Sequence, residues 1–94
     1  MSRATVMRLL RIKHGITARE LAEAAGVSQQ FISDLEFGKY FGRYKCAASA
    51  EPLVRKAFEA VAANRALQVS TLLADLSANR SHLLDIKEEK EVEL

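Results

Sequence analysis

The chain has 94 residues, enough for one domain with its own core and too few for two. Hydrophobic residues make up 49% and charged residues 28%, a globular balance that excludes disordered and fibrous classes. Net charge is +2, but residues 1–45 hold eight Lys or Arg against four acids while residues 46–94 hold six against eight, so the front half is expected to attract a polyanion and the rear half to turn from it.

Arg3, Arg8, Arg11 and Lys13 interrupt the apolar positions of the first sixteen residues, leaving no signal-peptide core and no membrane-length run; a cytoplasmic protein with no membrane role is expected. From Thr5 to His14, Val6, Leu9, Leu10 and Lys13 recur at helical spacing, and Gly15 follows where a left-handed residue ends a helix. Thr17 is a good N-cap for a second helix over Ala18 to Ala25, with Glu20 completing a capping box. Gly26 supplies the positive φ of a tight turn, Val27 plugs the core, and Ser28 caps a third helix from Gln29 to Phe37 that ends at Gly38.

Residues 39–49, KYFGRYKCAAS, lose this period and predict a loop. The pattern returns over Ala50 to Asn64, with Val54, Ala57, Phe58 and Val61 on one face and Pro52 in the first turn, where its missing N–H costs little. Ser70 is expected to cap a fifth helix, Thr71 to Ala78, whose apolar side is Leu72, Leu73 and Leu76. Beyond it, either a last short helix follows Asn79 and Ser81 or one helix continues to about Lys90. The expected architecture is all-α, a compact bundle of about five helices with a C-terminal helical extension, divided into a domain over residues 1–66 and a segment over 67–94 that ends in an acidic tail.

Cys46 is the only cysteine, which excludes an internal disulfide, and with His14 and His82 it makes no zinc-ligand set; no metal or other cofactor is expected. Neither histidine has a nucleophile or paired acid beside it and no Gly-rich phosphate loop occurs, so an enzyme is not expected. His14 is assigned to the C-terminal end of the first helix.

The stretch Thr17 to Gly38, TARELAEAAGVSQQFISDLEFG, resembles the helix-turn-helix of the phage repressor and Cro family, often called the XRE family. The resemblance is carried by the Leu21-Ala22 pair, the Ala25-Gly26-Val27-Ser28 turn, Ile32-Ser33, Leu35-Glu36 and Gly38. Each position has a mechanical reason: Ala22 lets helices cross closely, Gly26 turns the chain, and Leu21, Val27, Ile32 and Leu35 pin the third helix to the second. The resemblance implies sequence-specific binding of double-stranded DNA with the third helix in the major groove, most simply as a repressor-type transcriptional regulator of a phage or mobile element. An accessory factor for plasmid or transposon processing is the alternative within the same class. A protein-interaction module, such as an antitoxin whose acidic tail meets a basic toxin, is the alternative outside it.

With Ile32 and Leu35 facing inward, Gln29, Gln30, Ser33 and Asp34 are the candidates for base contact; a glutamine amide can pair bidentately with adenine. Phe31 is read as covering the core edge, with a thymine methyl as the alternative, and Glu36 as an intramolecular ion-pair partner. Thr17, Arg19 and Ser28 at helix starts, and Lys39, Tyr40, Arg43 and Lys45 in the loop, are the candidates for phosphate contact. The sequence departs from the family where Ala18 replaces a frequent glutamine and where Pro52 comes late after the third helix. One short helix reads few base pairs, so a homodimer is expected. In heptads, Val69, Leu76 and Leu83 fall at one core position and Leu72, Asn79 and Ile86 at the other, with Asp75 and Arg80 flanking.

Overall fold

Extended chain at Arg3–Thr5 (β1) passes directly into a helix at Val6–Lys13 (α1), because the Thr5 hydroxyl accepts the Arg8 N–H at 3.3 Å and caps it. This geometry comes from a computed structural model, which describes residues 3–65 and 69–88. Further helices follow at Ala18–Ala25 (α2), Gln29–Glu36 (α3), Ala47–Asn64 (α4) and Val69–Ala78 (α5), and a second strand at Ile86–Glu88 (β2). The molecule is the expected all-α bundle, with one addition. β1 and β2 form an antiparallel ribbon in which Ala4 lies opposite Lys87 and Thr5 opposite Ile86.

The ribbon completes the start of α1. The Val6 N–H donates to the Asp85 carbonyl at 2.8 Å and the Met7 N–H to the Leu83 carbonyl at 2.6 Å, so with the Thr5 cap three otherwise unpaired donors of the first turn find partners. Leu83 and Leu84 are buried in the same core as Met7, Leu21, Ile32, Leu35, Val54 and Phe58. Residues 72–84 therefore belong to the core that the first four helices share, rather than to a separate extension.

The α4 face Val54, Ala57, Phe58 and Val61 is wholly buried, as its spacing predicts. Its helix starts three residues earlier than expected, at Ala47, which places Pro52 in the second turn instead of the first. The early start is secured by Ser49, whose hydroxyl accepts from the Cys46 N–H at 3.2 Å and donates to the Cys46 carbonyl at 2.8 Å. The carbonyl that Pro52 leaves without an N–H partner belongs to Ala48, an exposed residue, where water can take that role.

Three expectations for the C-terminal third are corrected. Ser70 lies inside α5 and does not cap it. Leu73 is exposed, leaving Leu72 and Leu76 as the buried side of α5. Among the described residues there is neither a second short helix after Ser81 nor a continuation of α5, which stops at Ala78; the chain turns through Ser81 at φ 65° and β2 follows.

The heptad seam fails with them. It needs one continuous helix from Val69 to Ile86, whereas Leu72, Leu76 and Leu83 fill the core of a single chain and Ile86 lies half-exposed in β2. Asp75, placed at a flanking position of that seam, instead reaches α1: its carboxylate lies 2.6 Å from Nε2 of His14 and 3.0 Å from Nζ of Lys13. Burial alone would push the Asp75 carboxyl up, but the hydrogen bonds and charges of Lys13 and His14 outweigh it and hold the group below its ordinary value. The acidic residues 89–94 lie outside the described residues. No described helix is long and apolar enough to cross a membrane.

Candidate nucleic-acid interface

Two short helices and the turn between them present one polar surface. Thr17 caps α2 by accepting the Glu20 N–H at 3.0 Å, and Ser28 caps α3 by accepting the Phe31 N–H at 3.1 Å. Gly26 takes φ 72° between them, where a side chain would be strained, and the Val27 N–H returns to the Ala22 carbonyl at 3.0 Å. The expected capping box at α2 is only half made. Glu20 turns away to meet the Arg65 guanidinium, which also donates to the carbonyls of His14 and Gly15, so the end of α4 is tied to the corner between α1 and α2.

Leu21, Ile32 and Leu35 are 0% exposed, which fixes the inward faces of α2 and α3. Residues 7–40 match a family model described as helix-turn-helix. This segment is a helix-turn-helix. No curated protein and no solved structure matches the chain.

In this helix-turn-helix the second motif helix, α3, leaves Gln29 and Gln30 exposed at its start and Ser33 and Asp34 half-buried one turn on. Gln30 and Asp34 are joined: Nε2 of Gln30 donates to Oδ1 of Asp34 at 3.0 Å. The other end of α3 is anchored by Glu36, 3% exposed, which accepts from Nε and Nη2 of Arg11 on α1. Such a bidentate contact orients as well as attracts, so it sets the roll of α3 against α1. Arg8 adds a longer ion pair to Glu36, at 3.8 Å, and lies 5.9 Å from the centre of the Phe37 ring.

Phe31 does cover the core edge, and it does so with a partner from the loop: its ring lies 5.5 Å from that of Tyr44, tilted by 52°. Tyr44 thus docks the loop on α3, while Phe37 and Phe41 stay exposed together with Lys39, Arg43 and Lys45. Among the described residues no carboxylate is within ion-pair reach of these three cations. Arg19 is exposed at the start of α2 and pairs loosely with Glu23, 3.4 Å away. Tyr40 differs from the other loop candidates. It packs on the core, and burial, followed by the nearby charges of Cys46, Asp85 and Glu51, raises its hydroxyl above the ordinary value. Anionic neighbours make a poor setting for phosphate contact.

His14 does end α1, through its backbone N–H to the Leu10 carbonyl at 3.0 Å, but its ring belongs to the contact with Asp75. Cys46, at the N-cap of α4, is exposed, and hydrogen bonds from the backbone and side chain of Ser49 lower its thiol below the ordinary value. Among the described residues no cluster of His, Cys, Asp and Glu is arranged to hold a metal ion. The long-range pairs, Arg11 with Glu36 and Arg65 with Glu20, have no local signal in sequence. The Gln30–Asp34 bond does, since residues four apart meet on a helix.

Proposed function

We propose that the protein is a sequence-specific, double-stranded-DNA-binding transcriptional regulator of the repressor type, with α3 in the major groove. The observation that carries this reading is the exposure of Gln29 and Gln30 at the start of a helix whose opposite face is buried and whose far end is held by the Arg11–Glu36 pair. Gln29 and Gln30 read bases, with Ser33 beside them; Lys39, Arg43, Lys45, Arg19 and the helix starts at Thr17 and Ser28 hold phosphates. The resemblance to phage repressors supports a place in a phage or mobile element. Two copies bind together on half-sites about one helical turn apart, through a surface other than the buried Leu72, Leu76 and Leu83.

Selection of bound sequences from random duplexes tests all of this together. The recovered sequences are expected to share a short motif repeated with inverted symmetry. Gln29→Ala and Gln30→Ala should each relax preference at one base pair of the half-site by about 1–3 kcal/mol, leaving nonspecific binding nearly intact. Base preferences that neither substitution alters would remove α3 from the groove, and single asymmetric sites would remove the dimer.

A further inference from the structure

We infer that Asp34 is a positioning residue that makes Gln30 a reader of adenine. This inference rests on the proposal that α3 reads bases. It starts from the hydrogen bond between Gln30 Nε2 and Asp34 Oδ1, 3.0 Å long on the solvent side of the helix. A primary amide can usually turn over and exchange its oxygen for its nitrogen at little cost. Beside a carboxylate it cannot, because a carboxylate accepts only and would repel the amide oxygen. Asp34 therefore selects the orientation in which the Gln30 nitrogen points toward it.

Two consequences for recognition follow from counting donors. The amide nitrogen carries two hydrogens, of which Asp34 takes one. What Gln30 has left is one N–H and the oxygen Oε1, a donor beside an acceptor. Adenine presents the complement in the major groove, an N7 acceptor beside an N6 donor, whereas guanine presents two acceptors, N7 and O6. Facing guanine, a glutamine held in this way sets Oε1 against O6 with no second donor to spare. The Asp34 charge adds to that repulsion, since the guanine edge is rich in acceptors. A glutamine free of Asp34 can offer both hydrogens to guanine. An acid is costly on a helix that approaches phosphates, and on this reading it contributes discrimination rather than affinity.

Asp34 is itself well placed. Its backbone carbonyl accepts the N–H groups of Phe37 and Lys39, at 3.1 and 2.8 Å, which fixes the last turn of α3. Those bonds use the backbone, so changing the side chain leaves them in place, and the melting temperature of each variant is the check.

The experiment is selection on random duplexes with the wild-type chain, Gln30→Ala, Asp34→Ala and Asp34→Asn. The wild type is expected to favour adenine over guanine by at least about fivefold at the position that Gln30→Ala relaxes. Asp34→Ala should reduce that ratio severalfold at the same position, with guanine gaining, and leave the other positions unchanged. Asp34→Asn, whose side-chain oxygen can still accept from Gln30, should keep most of the adenine preference while binding all duplexes more tightly, because an anion near phosphate is gone. The inference is overturned if Gln30→Ala relaxes a position but Asp34→Ala leaves its adenine-to-guanine ratio intact, or if the wild type prefers another base there. If Gln30→Ala relaxes no position, the base-reading role of α3 falls first and this inference with it.

Discussion

Asp75 joins the C-terminal end of α1 to α5 through Lys13 and His14, and its depressed pKa makes the contact visible to titration. A carboxylate whose folded pKa lies below its unfolded one contributes stability in full above the unfolded value, and that contribution is lost as pH falls through the folded value. Asp75→Asn is expected to destabilise the protein by on the order of 1 kcal/mol at neutral pH. The gap from wild type should close as pH is lowered through and below the carboxylate range. Thermal melts at neutral pH and near pH 3 check this, and a gap of equal size at both would mean that the charge contributes nothing. Single residues were legible in sequence where their role is local: Thr17 and Ser28 as caps, Gly26 as the turn, Phe31 as a cover for the core edge. Asp75 was not, because its partners lie in another helix and no periodicity couples residues so far apart in the chain.

At the scale of elements, α2 and α3 follow from their caps and apolar spacing to within a residue, because both ends carry strong local chemistry. The start of α4 carries weaker local chemistry. Cys46 is a weak capping residue, Ser49 does the capping from inside the helix, and Pro52 pointed to a first turn it does not occupy. The loop before α4 reads as loop in both sequence and structure, yet its residues divide: Tyr44 docks on Phe31 and Tyr40 on the core, while Phe41 and the cations remain outside. If those cations hold phosphates, replacing Lys39, Arg43 and Lys45 together by Ala should weaken binding to all duplexes alike. The slope of log affinity against log salt should fall by about one for each phosphate that is no longer neutralised. A triple variant with the full wild-type slope would show that the loop touches no phosphate.

For the whole molecule, the first four helices were foreseeable and the closure was not. The two strands are three residues each, too short to carry an alternating pattern, and Leu72, Leu76 and Leu83 fit a heptad by spacing although they fill one core. The distinction has a measurable result. Ending the chain after Ala78 removes Leu83 and Leu84 from the core and the carbonyl partners of Val6 and Met7 from α1. Each buried leucine is worth about 2–5 kcal/mol, against a total stability of about 5–15 kcal/mol for a domain. The truncated chain is expected to be largely unfolded by far-UV circular dichroism; one that melts like the full chain would show that the closure is dispensable.

The bonds from Val6 to Asp85 and from Met7 to Leu83 also set a timetable. A chain is made from its N-terminus, so residues 4–7 emerge from the ribosome long before 83–86. Through most of synthesis the first turn of α1 has only water for two of its N–H groups, and Met7 faces a core that lacks Leu83. Packing of α3 on α2 joins neighbours in sequence, and packing of α4 on α2 spans a moderate loop, whereas this pairing must close a loop of about eighty residues. Although α1 is synthesised before the other described helices, its first turn is thus completed only when Leu83 and Leu84 reach the core.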